Sequence, residues 1–185
     1  MNIVRILKYT GFISAILAWI IIFASISLNP WFNFTKNAFS DLGGPFAKDP
    51  WLYNYGLIVV SLFAFLYAVF LAKVNGNKIL IIGSAFVMVA AIFLALIGIY
   101  HEGTYPHLFV STWFFIQFDI AILTYGIGLL MERRKLGIYM IILFIIANVV
   151  AGVIKWPSSA TIEAWGISII DIWVILSFLD ASQRR

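Results

Sequence analysis

The sequence predicts an all-α membrane protein, a six-transmembrane-helix bundle with both termini cytoplasmic. Three observations predict it. The 185 residues are 63% hydrophobic and only 11% charged, against about 45–50% apolar and about 25% charged in soluble globular chains. Such a chain has too few polar residues to cover its own surface, so its solvent is lipid. Six runs reach or approach the roughly 20 apolar residues that a crossing helix needs. Lysine and arginine gather in alternate connections between those runs, as the positive-inside rule requires.

The runs cover residues 11–28, 51–72, 79–100, 108–131, 136–154 and 162–179. They are continuous rather than alternating, which argues against a membrane β-barrel. No linker or low-complexity stretch separates them, so a single domain over 1–185 is expected. Arg5 and Lys8 ahead of the first run resemble a signal peptide, but the run is too long for one and reads as a retained span. The second run follows Asp49-Pro50, an expected N-cap and first-turn proline. It closes on a short turn, Lys73 to Lys78, containing Asn75-Gly76. Pro106 suits the first turn of the fourth run, which carries Asp119. After the turn from Glu132 to Lys135 comes the uncharged fifth, and the sixth carries Asp171.

With the N-terminus inside, Arg5, Lys8, Lys73, Lys78, Arg133, Arg134, Lys135, Arg184 and Arg185 are cytoplasmic, and only Lys36, Lys48 and Lys155 lie outside. Trp31, Trp51, Tyr100, Tyr105, Trp156 and Trp165 then form an outer aromatic belt. This is the pattern of a multi-pass protein of the cell membrane. The cytoplasmic turns leave no room for a nucleotide site. Membrane lipid and small molecules, not nucleic acid, are the expected partners. The absence of cysteine removes disulfides, thiolate catalysis and thiolate metal sites.

Chemistry concentrates on the other face. The longest loop, residues 29–50, contains Thr-Lys-Asn-Ala-Phe-Ser-Asp-Leu-Gly from Thr35 to Gly43. Thr35 suits an N-cap and Gly43 a helix stop. A short helix between them would put Asn37, Ser40 and Asp41 on one face and Ala38, Phe39 and Leu42 on the other. The second loop holds both histidines, His101 and His107, with Glu102; Ser111 follows His107 by one turn. The third brings Glu163. Three loops thus carry acids and imidazoles to one membrane face. Asp41, Glu102, His107 and Glu163 are candidate ligands for a divalent metal, or candidates for acid–base work. Both histidines sit at one end, so no transmembrane haem is expected. Asp119 and Asp171 are functional candidates because a charge inside the bilayer is costly; neighbouring partners such as Gln117, Asn148 or Ser168 would satisfy them structurally.

Residues 29–43, Asn-Pro-Trp-Phe-Asn-Phe-Thr-Lys-Asn-Ala-Phe-Ser-Asp-Leu-Gly, resemble the first signature of the prokaryotic domain-of-unknown-function 998 family. Gly98 to Gly103, with Pro106, His107 and Ser111, is similar to its second. The resemblance covers nearly the whole chain and implies the six-span layout and the loop site. It implies no reaction. The family usually has proline at the position of His101, which sets that histidine apart from a shared site.

Three functions follow from these residues. The first is a binding protein with an outward-facing polar site between the helices, holding a lipid headgroup or other small ligand at Asn37, Ser40, Asp41, Glu102, His107, Ser111 and Glu163. The second is a metal-dependent hydrolase acting on lipid at the outer leaflet. The third is a proton- or ion-coupled carrier using Asp119 and Asp171. Against the carrier, no span shows the paired glycine and proline breaks of transporter sites.

Overall fold

A computed structural model describes residues 6–184. Arg5 and Arg185, both counted in the charge asymmetry, lie outside the described residues. The chain is 78% helical, with no strands among the described residues. Six helices are long and apolar enough to cross a membrane. They are α1 (Thr10–Leu28), α2 (Pro50–Val74), α3 (Lys78–Ile99), α4 (His107–Met131), α5 (Leu136–Val153) and α6 (Ser159–Ser182).

The first five agree closely with the apolar runs. The sixth is longer than its run at both ends. Ser158 starts it early, its Oγ accepting the Thr161 N–H at 3.2 Å, a standard N-cap. At the far end Asp180, Ala181 and Ser182 stay helical because Asp180 is bound by Arg134 and Arg184. Asn77 caps α3 in the same way, accepting the Ile79 N–H at 2.8 Å. Asp49 does not cap α2 as expected. It occupies the N-cap position in a left-handed conformation (φ 53°) with no capping bond, and its carboxylate accepts the Trp51 indole N–H at 3.2 Å.

Consecutive helices pack on each other, α3 against α2 and α4 most extensively, and α1 also touches α6. The outward faces stay apolar: Ile16, Phe23, Ile145 and Val153 are all exposed, as lipid-facing side chains are. Inside, Trp173 is fully buried. Its indole meets Tyr67, Phe118 and Tyr125 edge-on at centroid distances of 6.2, 5.2 and 5.7 Å, the geometry the ring quadrupole favours.

The up-and-down order separates two ends. Lys8, Lys73, Lys78, Arg133, Arg134, Lys135 and Arg184 stand at one, the basic end. Lys36, Lys48 and Lys155 stand with the three longer loops at the other, the loop end. At the basic end Asp180 has 0% side-chain exposure and is held by Arg134 and Arg184, while Arg184 also binds Glu132 at 2.7 Å. Burial alone would lower the Arg184 pKa, but its bonds to Asp180 and Glu132 outweigh that and raise it.

Candidate functional site at the loop end

Asn29 closes the first loop. It is 1% exposed. Its Nδ2 donates to Ser25 O at 2.8 Å and Lys48 O at 3.2 Å, and its Oδ1 accepts from the Lys48 N–H at 2.7 Å and the Trp31 indole at 3.0 Å. The whole hydrogen-bonding capacity of the amide pins the two ends of the loop together.

The helix expected from Thr35 to Gly43 does not form as such. Asn33 accepts from the Thr35 backbone and hydroxyl at 3.0 and 2.9 Å, and Asn37 Oδ1 accepts the Asn33 N–H at 2.8 Å. These side chains offer the backbone an alternative to helix. Only Phe39–Gly43 is helical, as a single 3-10 stretch. The expected shared face of Asn37, Ser40 and Asp41 is therefore absent. Asn37 serves its own turn. Asp41 closes the 3-10 start, accepting the Ala38 N–H at 2.8 Å. Ser40 alone of the three reaches the other loops through its side chain.

The expected apolar side is correct in kind. Phe39 and Leu42 are 3% and 0% exposed. Phe39 stacks on Phe32 at 6.0 Å and meets Trp19 edge-on at 6.4 Å. This loop sits over the bundle as a cap, tied to the third loop by the Ala160 N–H on Asn37 O at 2.9 Å and by Ser158 Oγ on Phe34 O at 2.6 Å.

Beneath the cap the side chains converge. Glu102 Oε2 lies 3.0 Å from His107 Nε2 and accepts from Ser40 Oγ at 3.4 Å. His107 Nδ1 faces the Tyr100 carbonyl at 2.8 Å. A carbonyl oxygen only accepts, so this contact suits the imidazole with its hydrogen on Nδ1. Glu163 Oε2 accepts the Phe39 N–H at 2.7 Å. Ser40 and His107 are each 7% exposed, whereas the Glu102 side chain is 40% exposed and stands at the mouth. His101 is turned to the Glu102 backbone at 2.9 Å.

Ser40, His107, Ser111 and Glu163 form the polar end of a narrow central cavity of about 100 Å³. It is lined by every helix except α5 and runs down past Leu94 and Phe114 to Tyr67 and Gly11. Asp171 lines it at mid-height and accepts the Trp19 indole N–H at 2.8 Å. Asp119 is elsewhere. It lies between α4 and α5, its Oδ1 accepting from Asn148 Nδ2 at 2.9 Å.

The four candidate metal ligands do not gather around one point. Among the described residues no group of three or more His, Asp or Glu side chains is placed to hold a metal ion. One oxygen of each of Asp41 and Glu163, Oδ2 and Oε2, already accepts a backbone N–H.

Some contributions left no readable signal in the sequence. Asp171 was legible as an intramembrane acid, but its pairing with Trp19, 152 residues away, was not. Trp173 looks like any apolar helix residue, yet its indole N–H is buried without a hydrogen-bond partner beside the cavity.

The fold and its loop end define a multi-pass helical membrane protein with a capped polar cluster above an internal cavity. A family model described as protein of unknown function (DUF998) matches residues 12–180, and the chain belongs to that family. No curated protein and no solved structure matches it.

Proposed function

We propose that this protein binds a membrane amphiphile in the central cavity, with the polar head at Ser40, Glu102, His107 and Glu163 and the tail between α2, α3 and α4. One observation carries the reading: a mostly apolar cavity, with Asp171 at mid-height, ends beneath a cluster of carboxylates and an imidazole from the first two loops and the starts of α4 and α6. Ligand pockets bind by apolar area and orient by a few convergent polar groups; the volume of about 100 Å³ here limits the tail to a short, slender chain. Carboxylate oxygens at the mouth select a head that donates hydrogens, an amine or a hydroxyl. A carbonyl partway along the tail would supply the acceptor that the Trp173 indole lacks.

The cluster supports binding better than covalent catalysis. The hydroxyl of Ser40 meets Glu102, and the imidazole lies beyond it. A serine nucleophile is activated by an adjacent base, most often an imidazole. By the positive-inside rule, the loop end faces outward.

Mass spectrometry of lipid extracted from purified protein tests this. Wild type should retain an amphiphile that Ala91→Phe, which fills the cavity wall, excludes. Glu163→Gln should retain about tenfold less, the worth of one charge-assisted hydrogen bond. Equal retention by all three proteins would overturn the reading.

A further inference from the structure

A second cavity, a groove of about 490 Å³, opens between α4, α5 and α6. Helix lengths create it. The tight turn after Met131 starts α4 and α5 level, but α4 has 25 residues and α5 only 18. At 1.5 Å per residue, α5 therefore stops about 10 Å short of the loop end. The upper parts of α4 and α6 are left uncovered on that flank.

Asp119 and Asn148 stand at the floor of this groove. Each is twelve residues from the turn that joins their helices, and that equal height is why they meet. The amide of Asn148 is spent on Asp119 and on Phe144 O, at 2.9 Å each. Asp119 Oδ2 and Asn148 Oδ1 remain. No donor among the described residues reaches either, although both lie within membrane-spanning helices, where an unmet acceptor is costly. From Asp119 a track of polar groups climbs to the loop end. Ser111 is two turns above Asp119 on the same face of α4, and Ser159 and Glu163 stand opposite on α6. The ring of Phe115, which borders both cavities, is seated on Gly166: a Cβ there would fall 2.6 Å from a ring carbon.

We propose that this groove is a second binding site, which takes the hydrogen-donating head of a membrane amphiphile, a primary amine or a hydroxyl, from the bilayer. Asp119 Oδ2 and Asn148 Oδ1 accept its hydrogens, and the tail stays in lipid on the open flank. Asp119 and Asn148 line the groove and not the central cavity, although Ser111, Phe115 and Glu163 border both.

Photolabelling of the full chain in detergent with diazirine-bearing dodecylamine, dodecanol and dodecanoate tests the proposal. The amine and the alcohol should label the groove wall at Ile116 and Ala151, and excess unlabelled dodecylamine should compete. The carboxylate should not label there. Asp119→Leu should cut groove labelling about tenfold, as loss of a charged hydrogen bond does. Labelling at Leu94 in the central cavity should not change. Asn148→Leu makes the same test if Asp119→Leu fails to fold. Groove labelling that survives both substitutions, or that dodecanoate matches, overturns the proposal. So does protection of the groove by a second copy of the chain cross-linked through α5. Loss of Leu94 labelling alone would count against the central-cavity reading and leave this one standing.

Discussion

Gly43 illustrates how a residue can be read for the right importance and the wrong reason. In sequence it is a helix stop, where glycine supplies a left-handed backbone. In the structure a Cβ at Gly43 would lie 2.1 Å from Asn54 Oδ1 and 2.9 Å from the Tyr53 ring. Asn54 Nδ2 donates to Gly43 O at 2.9 Å, so the loop backbone is drawn down onto α2 until no side chain fits. The same asparagine crowds α3: its carbonyl oxygen would be 2.3 Å from a Cβ at Gly98. Gly43→Ala should therefore cost about 1–3 kcal/mol, the usual price of overpacking. Its pairing with Asn54→Ala should cost less than the two changes summed, because the clash and the bond share one partner. Thermal unfolding of the three variants in detergent measures this, and strict additivity would show that the contact is not the cause. The cluster residues Ser40, Glu102, His107 and Glu163 were legible as types on one membrane face. Their pairings were not, because loop-to-loop distances are unconstrained by sequence. Asn37 and Asp41 misled for a local reason: asparagine and aspartate side chains satisfy nearby backbone as readily as they reach outward.

At the scale of elements, helix existence was plain, since apolar runs of spanning length in lipid leave the backbone few other states. Helix ends were not, and the ends carry the specific chemistry. The extra residues at the end of α6 put Asp180 between Arg134 and Arg184, joining the last helix to the turn between α4 and α5. A charge network of this kind is invisible in sequence because Glu132 and Arg184 are 52 residues apart. Removing one member of a buried ion network strands the others. Asp180→Ala should thus destabilise the protein by about 3–5 kcal/mol, whereas Asp49→Asn, at an exposed position, should stay within about 0.5 kcal/mol. Unfolding of both variants decides it, and equal stability would mean that the arginines find water or lipid phosphate instead. The shortness of α5 has the opposite consequence to the clamp. It leaves a flank open where Asp119 and Asn148 meet, so an element that ends early makes room for a site.

For the whole molecule, the segregation of charge makes a statement that the helices alone do not. Up-and-down packing places the described basic residues Lys8, Lys73, Lys78, Arg133, Arg134, Lys135 and Arg184 at one end, and Lys36, Lys48 and Lys155 at the other. The positive-inside rule predicts that the loop end faces outward, with its cap and the polar cluster. The chain contains no cysteine, so single cysteines report without background. Exposure decides where to put them. Asn75, the obvious residue in the first basic turn, is 5% exposed and donates to the Tyr125 hydroxyl at 3.0 Å. A cysteine there would stay silent from either side. Gly76 beside it is exposed, with nothing within 4 Å of a Cβ, and is the better probe. Cysteines at Lys36, Lys48 and Lys155, all exposed, should react with a membrane-impermeant maleimide on intact cells. A cysteine at Gly76 should react only after the membrane is opened. The reverse pattern would invert the molecule and place the acidic cluster on the cytoplasmic face. The central-cavity ligand would then come from the inner leaflet, while the helix packing, the cap and the groove would stand unchanged.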